Sequence, residues 1–262
     1  MTRSDTDGKR LDGRVILVTG AIEGIGRAVA TACAAEGATV ILSAFEQTEL
    51  EPLYDAILAA GHPEPAILPL DLEQATEADF IAAANLVGDT FGRLDGLVHC
   101  AAFAPYLSRI DDYDATDWER VLRVNLTAPF LLTQVCLPLL RAADDASVVF
   151  TSDRVGRTGL AYWGAFAAAK FGLEGLMQTL AEETRESGWL RVNSIDPGIL
   201  RCALRVTLYP GEDPNGHPLP ESVTAAYVRL LGPEGRGISG QACSVQDGEL
   251  MVPGAEGMPD QG

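Results

Sequence analysis

The stretch Val15-Ile16-Leu17-Val18-Thr19-Gly20-Ala21-Ile22-Glu23-Gly24-Ile25-Gly26 restricts the fold of this chain more than any other. A β-branched apolar run passes through three spaced glycines into the small-residue segment Arg27-Ala28-Val29-Ala30-Thr31-Ala32. That order reads as a strand, a tight turn and a helix N-terminus. Gly20 permits the sharp turn, Gly24 lets backbone approach a phosphate, and Gly26 lets the helix pack on the strand. The unpaired N–H groups and dipole of such a helix start attract an anion, here the pyrophosphate of a dinucleotide. A glycine turn that binds nothing is the competing reading, and the strand–turn–helix context weighs against it.

Downstream, strand patterns at Thr39–Ser43, Ala66–Pro69, Gly96–His99, Ser147–Thr151, Arg191–Ile195 and Ala242–Val245 alternate with helix patterns. The helix patterns read at Gly24–Glu36, Glu46–Ala60, Ala75–Phe91, Asp117–Ala142, Ala161–Ser187 and Pro220–Leu231. Apolar strands alternating with helices predict a mostly parallel, doubly wound sheet covered on both faces, an α/β Rossmann-type architecture in three layers. Its ligand crevice lies at the strand C-terminal ends. No repeat or linker interrupts the pattern, so residues 1–262 are expected to form one domain, with 1–10 and 248–262 as tails. Tyr209–Leu219, rich in Pro and Gly, reads as a loop near the crevice.

The formal charge of −18 argues against nucleic acid and anionic membranes as partners, because both require basic surface. Cys33, Cys100, Cys136, Cys202 and Cys243 are widely spaced, with no C-x-x-C pair, which predicts reduced thiols, no metal site and a cytoplasmic location. No apolar run reads as a membrane span.

Several of these residues together resemble the short-chain dehydrogenase/reductase family, in its main branch of roughly 250 residues. They are Thr19-Gly20-x-x-x-Gly24-x-Gly26, Asp71-Leu72, Asn125, Lys170 and Asn193-x-x-x-Pro197-Gly198, and the resemblance runs from about Leu11 to Asp247. It implies a seven-stranded sheet, a nicotinamide dinucleotide, a small carbonyl or alcohol substrate, and homodimers or homotetramers built on the two long helices. Carried over residue by residue, it places the cofactor against Gly20, Ile22, Glu23, Gly24, Ile25, Gly26, Phe45, Asp71, Leu72, Cys100, Ala101, Lys170, Pro197 and Gly198.

The family's catalytic pattern is incomplete here. Its Y-x-x-x-K motif falls on Phe166-Ala167-Ala168-Ala169-Lys170, and its serine, thirteen residues before the tyrosine, falls on Asp153. The N-N-A-G motif falls on His99-Cys100-Ala101-Ala102, and the threonine after Pro197-Gly198 falls on Cys202. Asn125 and Lys170 match the family's remaining two catalytic positions. A phenyl ring has no proton to give to a developing alkoxide, and a carboxylate repels it.

Three readings of the site follow. Asp153 and Lys170 form an ion pair in an inactive pocket; or Asp153 is held protonated and acts as the acid; or Tyr162, one helical turn before Phe166, supplies the phenol. The chain thus reads as an NAD(P)-type carbonyl/alcohol oxidoreductase by resemblance, with that activity weak or lost. The alternative is a non-catalytic protein that binds a dinucleotide or small ligand, or an oligomer partner. His99 reads as a ribose donor or a structural histidine, and Cys100 and Cys202 as reactive thiols or small fillers. Trp163 reads as a pocket wall or a subunit contact. At the end of the second strand, Ala44 and Phe45 supply neither a ribose acid nor a 2′-phosphate cation. Glu23 and Glu46 would repel that phosphate, so NAD is expected over NADP.

Overall fold

The computed structural model describes residues 8–253. Its sheet runs β3-β2-β1-β4-β5-β6-β7-β8, with every neighbouring pair parallel except β7 and β8. The strands in chain order are β1 (Val15–Thr19), β2 (Thr39–Ala44), β3 (Ala66–Pro69), β4 (Gly96–His99), β5 (Ala146–Thr151), β6 (Leu190–Asp196), β7 (Ala242–Gln246) and β8 (Glu249–Met251). The helices are α1 (Gly24–Ala35), α2 (Gln47–Ala59), α3 (Glu77–Phe91), α4 (Ala115–Leu122), α5 (Ala128–Arg141), α6 (Gly164–Thr184), α7 (Ala203–Leu208) and α8 (Thr224–Leu231).

Alternate residues of β1 enter two separate cores, as the two-residue strand period requires. Ile16 and Val18 pack with Val29 and Cys33 of α1 and Tyr227 and Leu230 of α8. Leu17 packs on the other face with Phe80 of α3, Leu132 and Cys136 of α5, and Leu173 and Met177 of α6. The strand order reverses between β1 and β4, which opens the crevice at their C-terminal ends.

Several sequence expectations change. Among the described residues the sheet has eight strands, not seven. The added β8 lies within the segment expected to be a tail, and residues 254–262 of that segment lie outside the described residues. Asp247 and Gly248 both have positive φ (50° and 83°) and join Gln246 to its partner Glu249, so β7 and β8 form a tight two-residue hairpin. At the other end, residues 1–7 lie outside the described residues, whereas Arg10 is tied to Glu36 through its backbone N–H, at 3.2 Å, and its guanidinium.

The predicted helix Asp117–Ala142 is divided by a π-helical turn, Arg123–Thr127. Pro129 has no N–H to bond the carbonyl of Asn125 four residues earlier, and the ladder widens so that Ala128 N–H reaches Arg123 O. The helical stretch Ala115–Arg141 also has the length and hydropathy of a membrane span, unlike the sequence reading, but its buried residues Val121, Ala128, Leu132 and Leu140 belong to the cores. Finally, α6 begins at Gly164 rather than Ala161, which changes the meaning of Tyr162.

Candidate functional site

The glycine turn is built as its spacing demands. Gly20 has φ of +67°, and a Cβ there would stand 2.8 Å from the Cα of Ala101. A Cβ on Gly26 would stand 2.2 Å from the carbonyl oxygen of Gly20, so α1 can start this close to β1 only without a side chain at that point. The N-cap residue of α1, Glu23, makes no side-chain cap bond, and its first turn holds no acid. The helix N-terminus is therefore left without an internal anion.

This turn forms one wall of a cavity of about 590 Å³. Ser43-Ala44-Phe45 at the end of β2, Leu70 to Gln74 after β3, and Cys100 to Phe103 after β4 complete it, with Val124 of the π turn and Cys202 and Leu204 across the mouth. Most of the expected cofactor residues are brought together here: Gly20, Ile22, Glu23, Gly24, Ile25, Gly26, Phe45, Asp71, Leu72, Cys100 and Ala101. Asp71 uses one carboxylate oxygen to accept from the N–H groups of Glu73, at 2.8 Å, and Gln74, at 3.2 Å, which fixes the wall after β3. Lys170 and Pro197 line neither this cavity nor its neighbour, whereas Gly198 lines the neighbour.

The residues at the family's catalytic positions do not converge on this crevice. Asn125 is buried in the π turn; its amide donates to the carbonyls of Phe103, at 2.6 Å, and Val121, at 2.8 Å, while its oxygen accepts from Phe103 N–H. It pins the segment after β4 to the helix bend. Phe166 is 4% exposed and packs among Ala104, Val121, Val155 and Leu208. Lys170 is buried, donates to the carbonyl of Thr151 at 2.8 Å, and lies 5.2 Å from the centre of the Phe166 ring. Burial lowers its pKa to about 8, against the opposing charge of Asp153.

Asp153 and Lys170 do not form the expected ion pair: no bridge joins them among the described residues. Asp153 instead accepts from Val155 N–H at 2.9 Å, capping the turn Arg154–Gly156. Tyr162 cannot act through helical spacing. It precedes α6, adopts φ of +75° and is 56% exposed, and its carbonyl accepts from Ser108 N–H. Ser152 is buried and lines neither cavity, so it does not replace the missing hydroxyl.

His99 lies flat against Phe150, with ring centres 4.9 Å apart, and its Nε2 is 2.9 Å from Thr133 Oγ1. Burial pushes its pKa down to about 3, so it is a neutral core residue. Burial pushes the Cys100 thiol up to about 12, against a contact with Thr151 Oγ1 at 3.4 Å, so it is not a thiolate at neutral pH.

A second cavity of about 130 Å³ adjoins the first at Cys202 and Leu204. Asp153, Asp196, Arg154 and Arg205 line it together with Leu160, Trp163, Leu208 and Tyr209. Trp163 thus reads as a pocket wall. Asp196 is a cavity-lining carboxylate that motif reasoning overlooked. Its only sequence signal was a carboxylate at a strand C-terminal end, directly before Pro197-Gly198.

Comparison with known proteins places this geometry among relatives. The short chain dehydrogenase family model matches residues 14–213. The uncharacterized oxidoreductase YciK of Escherichia coli K12 is 40% identical over 238 residues, which cover 91% of this chain and 94% of that protein. A short chain dehydrogenase from Salmonella enterica serovar Typhi CT18 superimposes with a TM-score of 0.89 at 38% identity, covering 93% of this chain and all of that one. A chain from Escherichia coli CFT073 complexed with NADPH gives 0.88 at 40% identity, covering 92% and 99%. The expected preference for NAD over NADP finds no support in these neighbours.

Proposed function

This chain belongs to the short chain dehydrogenase family, and we propose that it is a dinucleotide-binding member whose ordinary carbonyl/alcohol turnover is weak or lost. The observation that carries this reading is the separation of the two halves of the site. The glycine turn, the uncapped start of α1 and the segment after β3 form one continuous crevice. The phenol position, by contrast, is a buried phenyl ring, Phe166, and the Lys170 ammonium is committed to a backbone carbonyl. In this reading Gly20, Ile22 and Gly24 hold a pyrophosphate, and Asp71 and Leu72 flank the adenine. The bound dinucleotide would supply hydride chemistry, and the chain places no phenol at the Phe166 position to complete it.

The preferred dinucleotide is NAD(H). Ser43-Ala44-Phe45 and Glu23 line the crevice at the ribose end, and neither group provides a cation for a 2′-phosphate. Calorimetric titration is expected to show NADH binding about tenfold or more tighter than NADPH, the scale of one unopposed charge contact near a surface. Equal or tighter binding of NADPH contradicts the preference. Failure of both, in folded protein, contradicts the dinucleotide reading itself.

The chain also assembles with itself in this reading. Phe130 on α5 and Phe171 on α6 are 42% and 47% exposed, and large apolar side chains on two long helices favour a two-fold contact. Light scattering at micromolar concentration is expected to give the mass of a dimer or tetramer; a monomeric mass overturns the assignment.

A further inference from the structure

We propose that the second cavity, bounded by Asp153, Asp196, Trp163 and Tyr209, binds a small organic ammonium ion. The inference rests on the dinucleotide reading only for its meaning, in that an amine held here would be the second ligand of that same site.

Charge and walls together point to this ligand class. Asp153 stands where the resembling family has a neutral hydroxyl. Asp196 ends β6 and lines the same cavity. One oxygen of each carboxylate is held by a backbone N–H two residues on, Val155 for Asp153 and Gly198 for Asp196, both at 2.9 Å. These bonds fix the orientation of the carboxylates without neutralising them. Neither carboxylate has an ion-pair partner among the described residues.

Arg154 and Arg205 line the cavity beside the carboxylates, and among the described residues neither forms a bridge to Asp153 or Asp196. Arg205 is bound by both oxygens of Glu212 and lies over the Tyr209 ring at 3.7 Å. Arg157 is held by Glu174, Ser194 and the Cys243 carbonyl, and does not line the cavity. Arg154 lines it from an exposed position. The pKa of Asp196 is raised, first by burial, with Asp153 adding to the effect and Gly198, Arg157 and Arg154 only partly opposing it. Two carboxylates share a small space with no cation bonded to either among the described residues, and an incoming ammonium would supply that partner.

The remaining walls suit the body of such a ligand. Leu160 and Leu208 are apolar, and Trp163 offers an aromatic face that attracts cations, while Tyr209, with its ring centre 6.3 Å from that of Trp163, already has Arg205 over its ring. An alcohol meets the same walls without the charge attraction, and a carboxylic acid is repelled. The cavity meets the larger crevice at Cys202 and Leu204, so a ligand here would lie beside whatever fills the crevice.

Three probes of one shape test the inference: cyclohexylamine (protonated at neutral pH), cyclohexanol and cyclohexanecarboxylate. Each is titrated calorimetrically into the full chain, alone and after saturation with NADH, and the same is done with the Asp153→Asn and Asp196→Asn variants. Asparagine keeps the backbone cap at Asp153, so that variant retains the local fold. Cyclohexylamine is expected to bind more tightly than either other probe, and each variant to weaken it about tenfold or more. Three results overturn the site: cyclohexanol binding as tightly as the amine, amine affinity unchanged in both variants, or no amine binding to folded protein with or without NADH. Amine binding without NADH binding leaves the site standing and defeats the dinucleotide reading. NADH binding without amine binding does the reverse.

Discussion

Asp153→Ser combined with Phe166→Tyr is expected to raise NADH-dependent reduction of cyclohexanone by about 10²–10⁴-fold over the unaltered chain, the range that general acid catalysis supplies. One part of the surroundings needed for the gain is in place. Lys170 lies 5.2 Å from the Phe166 ring centre, and an ammonium at that distance lowers the pKa of a phenol put in the ring's place. Its bond to the Thr151 carbonyl holds it there without any help from Asp153. Serine at 153 can still accept from Val155 N–H and removes the charge that opposes a developing alkoxide. Phe166→Tyr alone is expected to gain far less, because that carboxylate remains. The measurement is loss of reduced-nicotinamide absorbance, with NADH binding and melting temperature determined on the same samples. A double variant that folds, binds NADH and stays at the rate of the unaltered chain would show that more than two hydroxyls separate this site from turnover.

Asp145→Ala is expected to cost about 3–5 kcal/mol of stability, the scale of removing one partner from a buried ion pair. Asp145 lies just before β5 and receives three arginines. Arg14 reaches it at 2.7 Å and Arg191 at 3.0 Å, while the mostly exposed Arg236 reaches it at 3.3 Å and adds little. Arg191 is itself buried, and its other N–H groups go to the carbonyls of Leu230 and Gly232, so loss of Asp145 strands a charge inside the fold.

The acid dependence follows from the same contacts. Burial alone would raise the pKa of Asp145, but Arg191 and Arg14 more than reverse it and hold the carboxyl below its ordinary value. Its contribution is therefore complete above the ordinary aspartate value of about 3.9 and is lost as pH falls through the lower folded value. Melting curves followed by circular dichroism should show the gap between the wild type and Asp145→Asn narrowing across that acid window. A gap independent of pH would place the stabilisation elsewhere. Because Asp145 is at the N-terminal end of its strand, away from the crevice, NADH affinity of the folded variant is expected to be unchanged.

The parts of this molecule that the sequence disclosed are those governed by short-range rules. Val15–Gly26 specifies a strand, a turn and a helix start through residue size and backbone freedom, and the crevice forms where that pattern places it. The Asp247-Gly248 hairpin is equally legible, since Asp-Gly favours positive φ at both turn positions, although it straddles the boundary at which the Gly- and Pro-rich tail pattern begins.

The site's second half depended on long-range placement. Whether Asp153 faces Lys170 is decided by a bond from Val155 N–H and another to the Thr151 carbonyl, and neither has a signature in residue spacing. The Tyr162 reading required a helix from Ala161, but α6 begins three residues later, so the assumed helical turn does not exist. Asp196 could be singled out only once β6 and the segment after β5 had been brought around one cavity.

The three residues of β8 have a consequence for how the molecule behaves in concentrated solution. A sheet that ended on β7 would present a row of open N–H and C=O groups, a template on which another chain's strand could add. β8 occupies that row, and its own outer rim is too short to serve as a comparable template. It opens on a charged residue, Glu249, and turns Leu250 inward onto the core. The Asp247-Gly248 bend thus decides whether this edge of the protein ends cleanly or invites aggregation.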